Sequence, residues 1–296
     1  MESIRDGYRA LRVPGSLALL PTAEYAQAIA RLCLDSRRYL CGSCERVQLT
    51  SLVPGKGYFA LRELEEAAAS GRSVATSRPV NAALYIESDE EFAAGLGSFL
   101  AGDYSSMDQL AVTKLLYTMA MSFCAANDLL KARDKKTPAT FFECFAAHLF
   151  ARQFQAVPRD RVKVPSVRDE LTELPTDYVF DLGAVKIHLP VKISTRERVI
   201  QAWAHQRVLE GVWGYQAFKG ILVVLTETKL DLEKLQVTEI CLPQQWAVYQ
   251  RYIAKLDRVY YLDMPDRYAT LVSSSPRIDV KPLGAFWEEK DILLAH

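Results

Sequence analysis

The chain has 296 residues, half of them apolar and 24% charged, with Lys+Arg and Asp+Glu balanced at 36 each. That length can bury a full core, as one large domain or two small ones. The zero net charge excludes a protein that coats nucleic acid over its whole surface and leaves room only for a local basic region.

No run reaches the roughly 18 consecutive apolar residues of a membrane span. The N-terminal MESIRDGYRA does not read as a signal peptide. Six cysteines are few for this length, so the expected setting is a reducing cytoplasm rather than a disulfide scaffold. Cys41 and Cys44 form a CxxC with Cys33 upstream, but His148, His188, His205 and His296 are all distant in sequence. Packed thiols are therefore expected there in preference to a zinc site.

The first third reads as mostly helical. Helical spacing of apolar residues marks 24–35 and 58–70, and a long helix fits 107–132. NAALYIES, 81–88, has the composition of a strand, and ESDEE, 87–91, that of a solvated helix start. KARDKKTP, 131–138, is charged and ends in Thr-Pro, which predicts a boundary followed by a helix with Thr137 as N-cap and Pro138 in its first turn. The expected division is a helical region over 1–136, serving dimerisation or DNA contacts, and a core over 137–296.

Within that core, 139–154 predicts an amphipathic helix and RVKV, 161–164, a short strand. DYVFDL, 177–182, and VKIHLPVKI, 185–193, are β runs joined at Gly183-Ala184, which predicts a hairpin. A helix over 196–211 with Val199 and Trp203 turned inward, a strand over 220–227, a helix over 243–256 and a strand over 258–264 complete a mixed α/β core.

The hairpin carries charge in a suggestive order. Asp177 opens its first strand and Lys192 lies near the end of its second, 15 residues on, so folding brings the two side by side. Glu143, one helix earlier, can reach the same end. Carboxylates hold Mg²⁺ through oxygen, the metal neutralises charge on a scissile phosphate, and a lysine can orient or activate the attacking water.

A helix carrying Glu143, then PTD at 175–177, a hairpin ending in PVK at 190–192, and a further helix together resemble the PD-(D/E)xK nuclease core over about 137–227. The resemblance implies that Asp177 binds the metal, Lys192 is catalytic and Glu143 is the upstream helical acid. Pro190 stands where the second acid of the motif would be. In the branch of type II restriction endonucleases that cut CCGG or CCNGG sites, that acid moves to the next helix. Here the corresponding positions are His205 and Gln206; Asp181 or Glu143 is the alternative. That branch also carries Arg-(Asp/Glu)-Arg after the lysine, and Arg196, Glu197 and Arg198 follow Lys192 at four, five and six residues.

The triplet suits base reading. Arginine offers paired donors to guanine O6 and N7, and a carboxylate accepts from cytosine N4. Ser194 and Glu197 also fit a capping box, yet two arginines in a first helical turn oppose the helix dipole. Between Lys131 and Arg207, 14 basic residues meet 9 acidic ones, a local excess suited to phosphate contacts. The expectation is a Mg²⁺-dependent, sequence-specific double-stranded DNA endonuclease, a cytoplasmic homodimer cutting a C/G-rich palindrome. The alternatives are a structure-specific or repair nuclease of the same core, and a DNA-binding protein without catalysis.

Overall fold

A computed structural model describes residues 2–12, 15–64, 75–165, 170–195, 199–275 and 277–295. Two helices open the chain, α1 (Glu2–Leu11) and α2 (Ala23–Ser43), the second capped by Thr22, which accepts from the Tyr25 N–H. Three strands follow, β1 (Cys44–Ser51), β2 (Tyr58–Glu63) and β3 (Val80–Asn81), then three helices, α3 (Asp89–Ala101), α4 (Gln109–Leu130) and α5 (Lys136–Phe154). The remainder alternates: β4 (Arg159–Pro165), β5 (Leu171–Asp181), β6 (Lys186–Leu189), β7 (Val191–Lys192), α6 (Ile200–Trp213), β8 (Phe218–Thr226), β9 (Thr228–Asp231), β10 (Gln236–Glu239), α7 (Pro243–Tyr252), β11 (Arg258–Asp263), β12 (Val280–Pro282) and α8 (Phe286–Leu294).

The main sheet runs β12-β11-β8-β6-β5-β4, with β7 also on β8. It is mixed: β4, β5 and β6 pair antiparallel, whereas β6, β7, β11 and β12 join through parallel ladders around β8. Strand β8 is buried on both faces. Ile221, Val223 and Leu225 point into one hydrophobic cluster, Leu222 and Val224 into another. That is why GILVVL reads as a continuous apolar run rather than an alternating one. One layer holds α4 and α5; Phe154 of α5 packs edge-on against Phe180 of β5 with ring centroids 5.2 Å apart. The other holds α6 and α7, joined by Trp203 and Trp246. α4 is apolar almost all round because protein surrounds it. Among the described residues no helix is long and apolar enough to cross a membrane.

A second sheet, β3-β2-β1-β10-β9, joins strands from both sides of the expected 136/137 boundary, through a parallel β1–β10 pairing. The largest hydrophobic cluster also spans that boundary, from Ile4 to Leu293.

Three local expectations are corrected. Over 58–63 the chain is strand β2, not a helix, because the sites either side of it are filled by β1 and β3. Tyr58, Phe59, Ala60 and Leu61 are all buried there, so both faces of the segment are packed and tertiary pairing overrides the helical spacing. The rest of that predicted helix, from 65, lies outside the described residues. The strand expected over 81–88 ends at Asn81, whose side-chain carbonyl accepts from the Ala83 N–H and turns the chain. Thr137 is not the cap of α5. The Asp134 carboxylate does that work, accepting from the N–H groups of Lys136 and Thr137 and from the Thr137 hydroxyl. The starts of α3 and α4 follow their sequence signals, Ser88 and Asp108 each accepting an N–H of the first turn.

Candidate active site

The hairpin forms as expected, β5 pairing antiparallel with β6 from Tyr178↔Leu189 to Asp181↔Lys186 and turning at Gly183, whose φ of 82° suits glycine. Pro190 then ends the pairing with β5. It has no N–H to donate, but its carbonyl still accepts from the Val223 N–H at 2.9 Å. The register with β8 is therefore the same on both sides of it, His188↔Gly220 before and Val191↔Val223 after. β6 and β7 are one strand that loses its outer partner at Pro190. The Asp177 carboxylate fills the gap. It accepts the Val191 N–H at 2.9 Å and pairs with the Lys192 ammonium through the same oxygen. Both side chains are mostly sheltered, at 23% and 18% exposure.

Glu143 arrives from α5. Burial pushes its carboxyl up to about 7, and the Asp177 charge adds to the rise; Lys192 and Arg12 pull against it. Glu143, Asp177 and Lys192 therefore share one electrostatic neighbourhood, as the spacing argument requires. Arg12, near the end of α1, is an additional cation there that sequence reasoning missed, because nothing local ties residue 12 to residue 143.

The α6 side contributes His205. Burial lowers its imidazole pKa; Asp177 opposes that shift and Lys192 adds to it. So His205 also senses the Asp177–Lys192 pair, and its burial favours the neutral imidazole. Gln206 is differently placed. It is fully buried, its carbonyl oxygen lies 3.0 Å from His188 Nδ1, and its amide donates to the Phe218 carbonyl at 2.9 Å and to Glu210 at 3.2 Å. Those bonds direct it at β6 and β8 rather than at Asp177. His188 is also fully buried, and burial lowers its pKa to about 4.

Asp181 is set apart from this group. It lies four residues along β5 from Asp177, roughly 13 Å at the rise of an extended strand. It is exposed, accepts from the Gly183 N–H at 3.2 Å and faces Lys186 at 3.7 Å. Arg196, Glu197 and Arg198 lie outside the described residues. Thr195 just before them and Val199 just after are both buried. All six cysteines are free thiols, and Cys33 is buried while Cys41 is exposed. Among the described residues no group of three or more His, Cys, Asp or Glu side chains is arranged around a metal position.

The mixed sheet, the helix layers on its two faces and a strand interrupted beside paired Asp and Lys define a restriction-endonuclease-like fold. The type IIP restriction endonuclease Kpn2I superimposes on the chain with a TM-score of 0.76 at 24% identity, covering 99% of this chain and 96% of that one. The restriction endonuclease PspGI, in a complex with substrate DNA, matches with a TM-score of 0.43 at 14% identity, covering 70% of this chain and 91% of that one. No protein-family model and no curated protein matches the sequence. The likeness to Kpn2I extends the fold assignment over essentially the whole chain, helical region included.

Proposed function

We propose that the protein is a Mg²⁺-dependent type II restriction endonuclease, hydrolysing double-stranded DNA at a C/G-rich palindrome with a CCGG- or CCNGG-like core. The observation that carries this reading is the meeting of Asp177, Lys192 and Glu143 where β5 and β7 part, within a restriction-endonuclease fold.

The donor chemistry fits the metal. Mg²⁺ commonly takes one or two carboxylates, keeps several waters and completes its shell with substrate phosphate oxygens. Asp177 and Glu143 supply two such carboxylates, and their mutual charge opposes ionisation of Glu143 in a way that a divalent cation would relieve. Bound there, the ion would neutralise charge developing on the scissile phosphate. Lys192 brings its donors on a strand fixed in register by β8, so it can orient an attacking water. His205, beside the pair, is the candidate for the position of the displaced acid; Gln206 has both amide donors engaged by Glu210 and Phe218 and its carbonyl turned to His188. Arg12 would add positive charge facing the phosphate. Arg196, Glu197 and Arg198 would read C·G pairs in the major groove. A palindromic site calls for a C₂ homodimer in which each subunit cuts one strand.

Digestion of plasmid DNA with and without Mg²⁺ tests the reading. Discrete fragments are expected, with termini that map to one short C/G-rich palindrome. A smear would indicate a nuclease without sequence choice, and a mobility shift without cutting would indicate a binding protein.

A further inference from the structure

Glu227 is a buried carboxylate that the chemistry around Asp177 does not use. It follows directly on β8 and is 0% exposed. Burial pushes its carboxyl up to about 7, against the pull of its hydrogen bonds. Such a group destabilises a fold unless its oxygens are satisfied. Here the donors come almost wholly from one residue. The Thr195 N–H lies 3.0 Å from Oε1 and 3.2 Å from Oε2, and the Thr195 hydroxyl donates to Oε1 as well. The buried Tyr261 hydroxyl donates to Oε1 at 2.9 Å.

The placement of this clamp carries the inference. β8 already holds Lys192 through its pairing with Val224, and the Thr226 N–H donates to the Ile193 carbonyl at 3.1 Å. Glu227 extends the same hold to Thr195, three residues beyond Lys192. Arg196-Glu197-Arg198 follows at once, and on its far side Val199 is anchored in the cluster of Trp203 and Trp246. The path that leaves the catalytic lysine is therefore pinned to β8 up to the residue before the triplet.

We propose that Glu227 is a positioning residue for DNA reading: by holding Thr195 at the end of β8, it sets where the chain enters the triplet relative to Lys192. The proposal rests on the endonuclease reading above. It assigns to one strand both the group that cuts and the start of the segment that reads.

The test uses the full-length protein and the duplex mapped by plasmid digestion with the wild type, against a random duplex of equal length. Binding is measured without divalent cation, alongside thermal unfolding. Glu227→Gln and Thr195→Val are expected to lower the ratio of specific to random affinity by about ten- to hundredfold, the scale of losing one bidentate base contact. Affinity for the random duplex should be unchanged, and Thr195→Ser, which keeps the hydroxyl, should restore the ratio. An unchanged ratio in folded Glu227→Gln, or parallel loss of both affinities, overturns the proposal while leaving the endonuclease reading intact. If Glu227→Gln does not fold, the contrast between Thr195→Val and Thr195→Ser decides. A wild type that prefers no duplex overturns the endonuclease reading, and the proposal with it.

Discussion

Glu143 offers a test of the site that needs no DNA. Its carboxyl is raised from 4.5 to about 7 by burial first and by Asp177 second. Folding thus raises this pKa, so between those two values the native state holds a proton that the unfolded chain has lost. With more protons bound to the native state, stability falls as pH rises through that window. The penalty is absent below about 4.5 and complete above about 7. At about 1.4 kcal/mol per unit the shift amounts to roughly 3 kcal/mol, and partial solvent screening reduces this to about 2 kcal/mol. Glu143→Gln keeps the shape and removes the charge. In the metal-free protein it should raise the melting temperature by roughly 4 °C near pH 8. Near pH 5 most of that gap should close. Mg²⁺ should raise the wild-type melting temperature near pH 8 and do so much less for the variant, because a ligand stabilises only the state that binds it. Thermal unfolding followed by circular dichroism at both pH values, with and without Mg²⁺, decides the matter. A variant that melts below the wild type near pH 8, or a gap that does not depend on pH, would refute the burial of a raised Glu143 carboxyl at this site.

Lys192→Ala is expected to bind DNA normally but cut at least about a hundredfold more slowly, the scale of losing one charge-stabilising group; near-normal cleavage would remove it from the chemistry. Asp177→Asn should abolish cleavage at any Mg²⁺ concentration, whereas Asp181→Asn should cut like the wild type, and the reverse pattern would show that the wrong aspartate of β5 has been chosen. Arg196→Ala and Arg198→Ala should each lower affinity for the cognate duplex by about 1–3 kcal/mol more than for random DNA, and Glu197→Ala should relax selection at a cytosine. Equal losses on both duplexes, with a shallower salt dependence, would instead assign the triplet to phosphate contacts.

The hairpin and its charges were legible because their signals are local. Alternating and continuous apolar runs around Gly183 set two strands, and a hairpin of known length brings residue 192 back beside residue 177. The interior of α6 was equally plain, since Val199 and Trp203 lie one helical turn apart and both are buried. The helix read into 58–70 failed for the opposite reason. Its apolar spacing is compatible with a helix in isolation, but its pairing partners are residues 44–49 and 80–81, and only their arrival makes it a strand.

What the sequence by itself determined, then, is the hairpin, the helices on either side of it and the pairing of Asp177 with Lys192 at its open end. Each of these follows from spacing within about one or two elements, where backbone geometry alone fixes which residues can meet. Tertiary structure decided the rest. It made Pro190 the point where the strand loses β5 as a partner while β8 keeps it in register. It brought Arg12 and His205 toward a pair set by β5 and β7, and it buried Glu227 against Thr195, 32 residues earlier in the chain. Such meetings depend on how layers close over a sheet, and no periodicity in the sequence records which distant side chains that closure brings together.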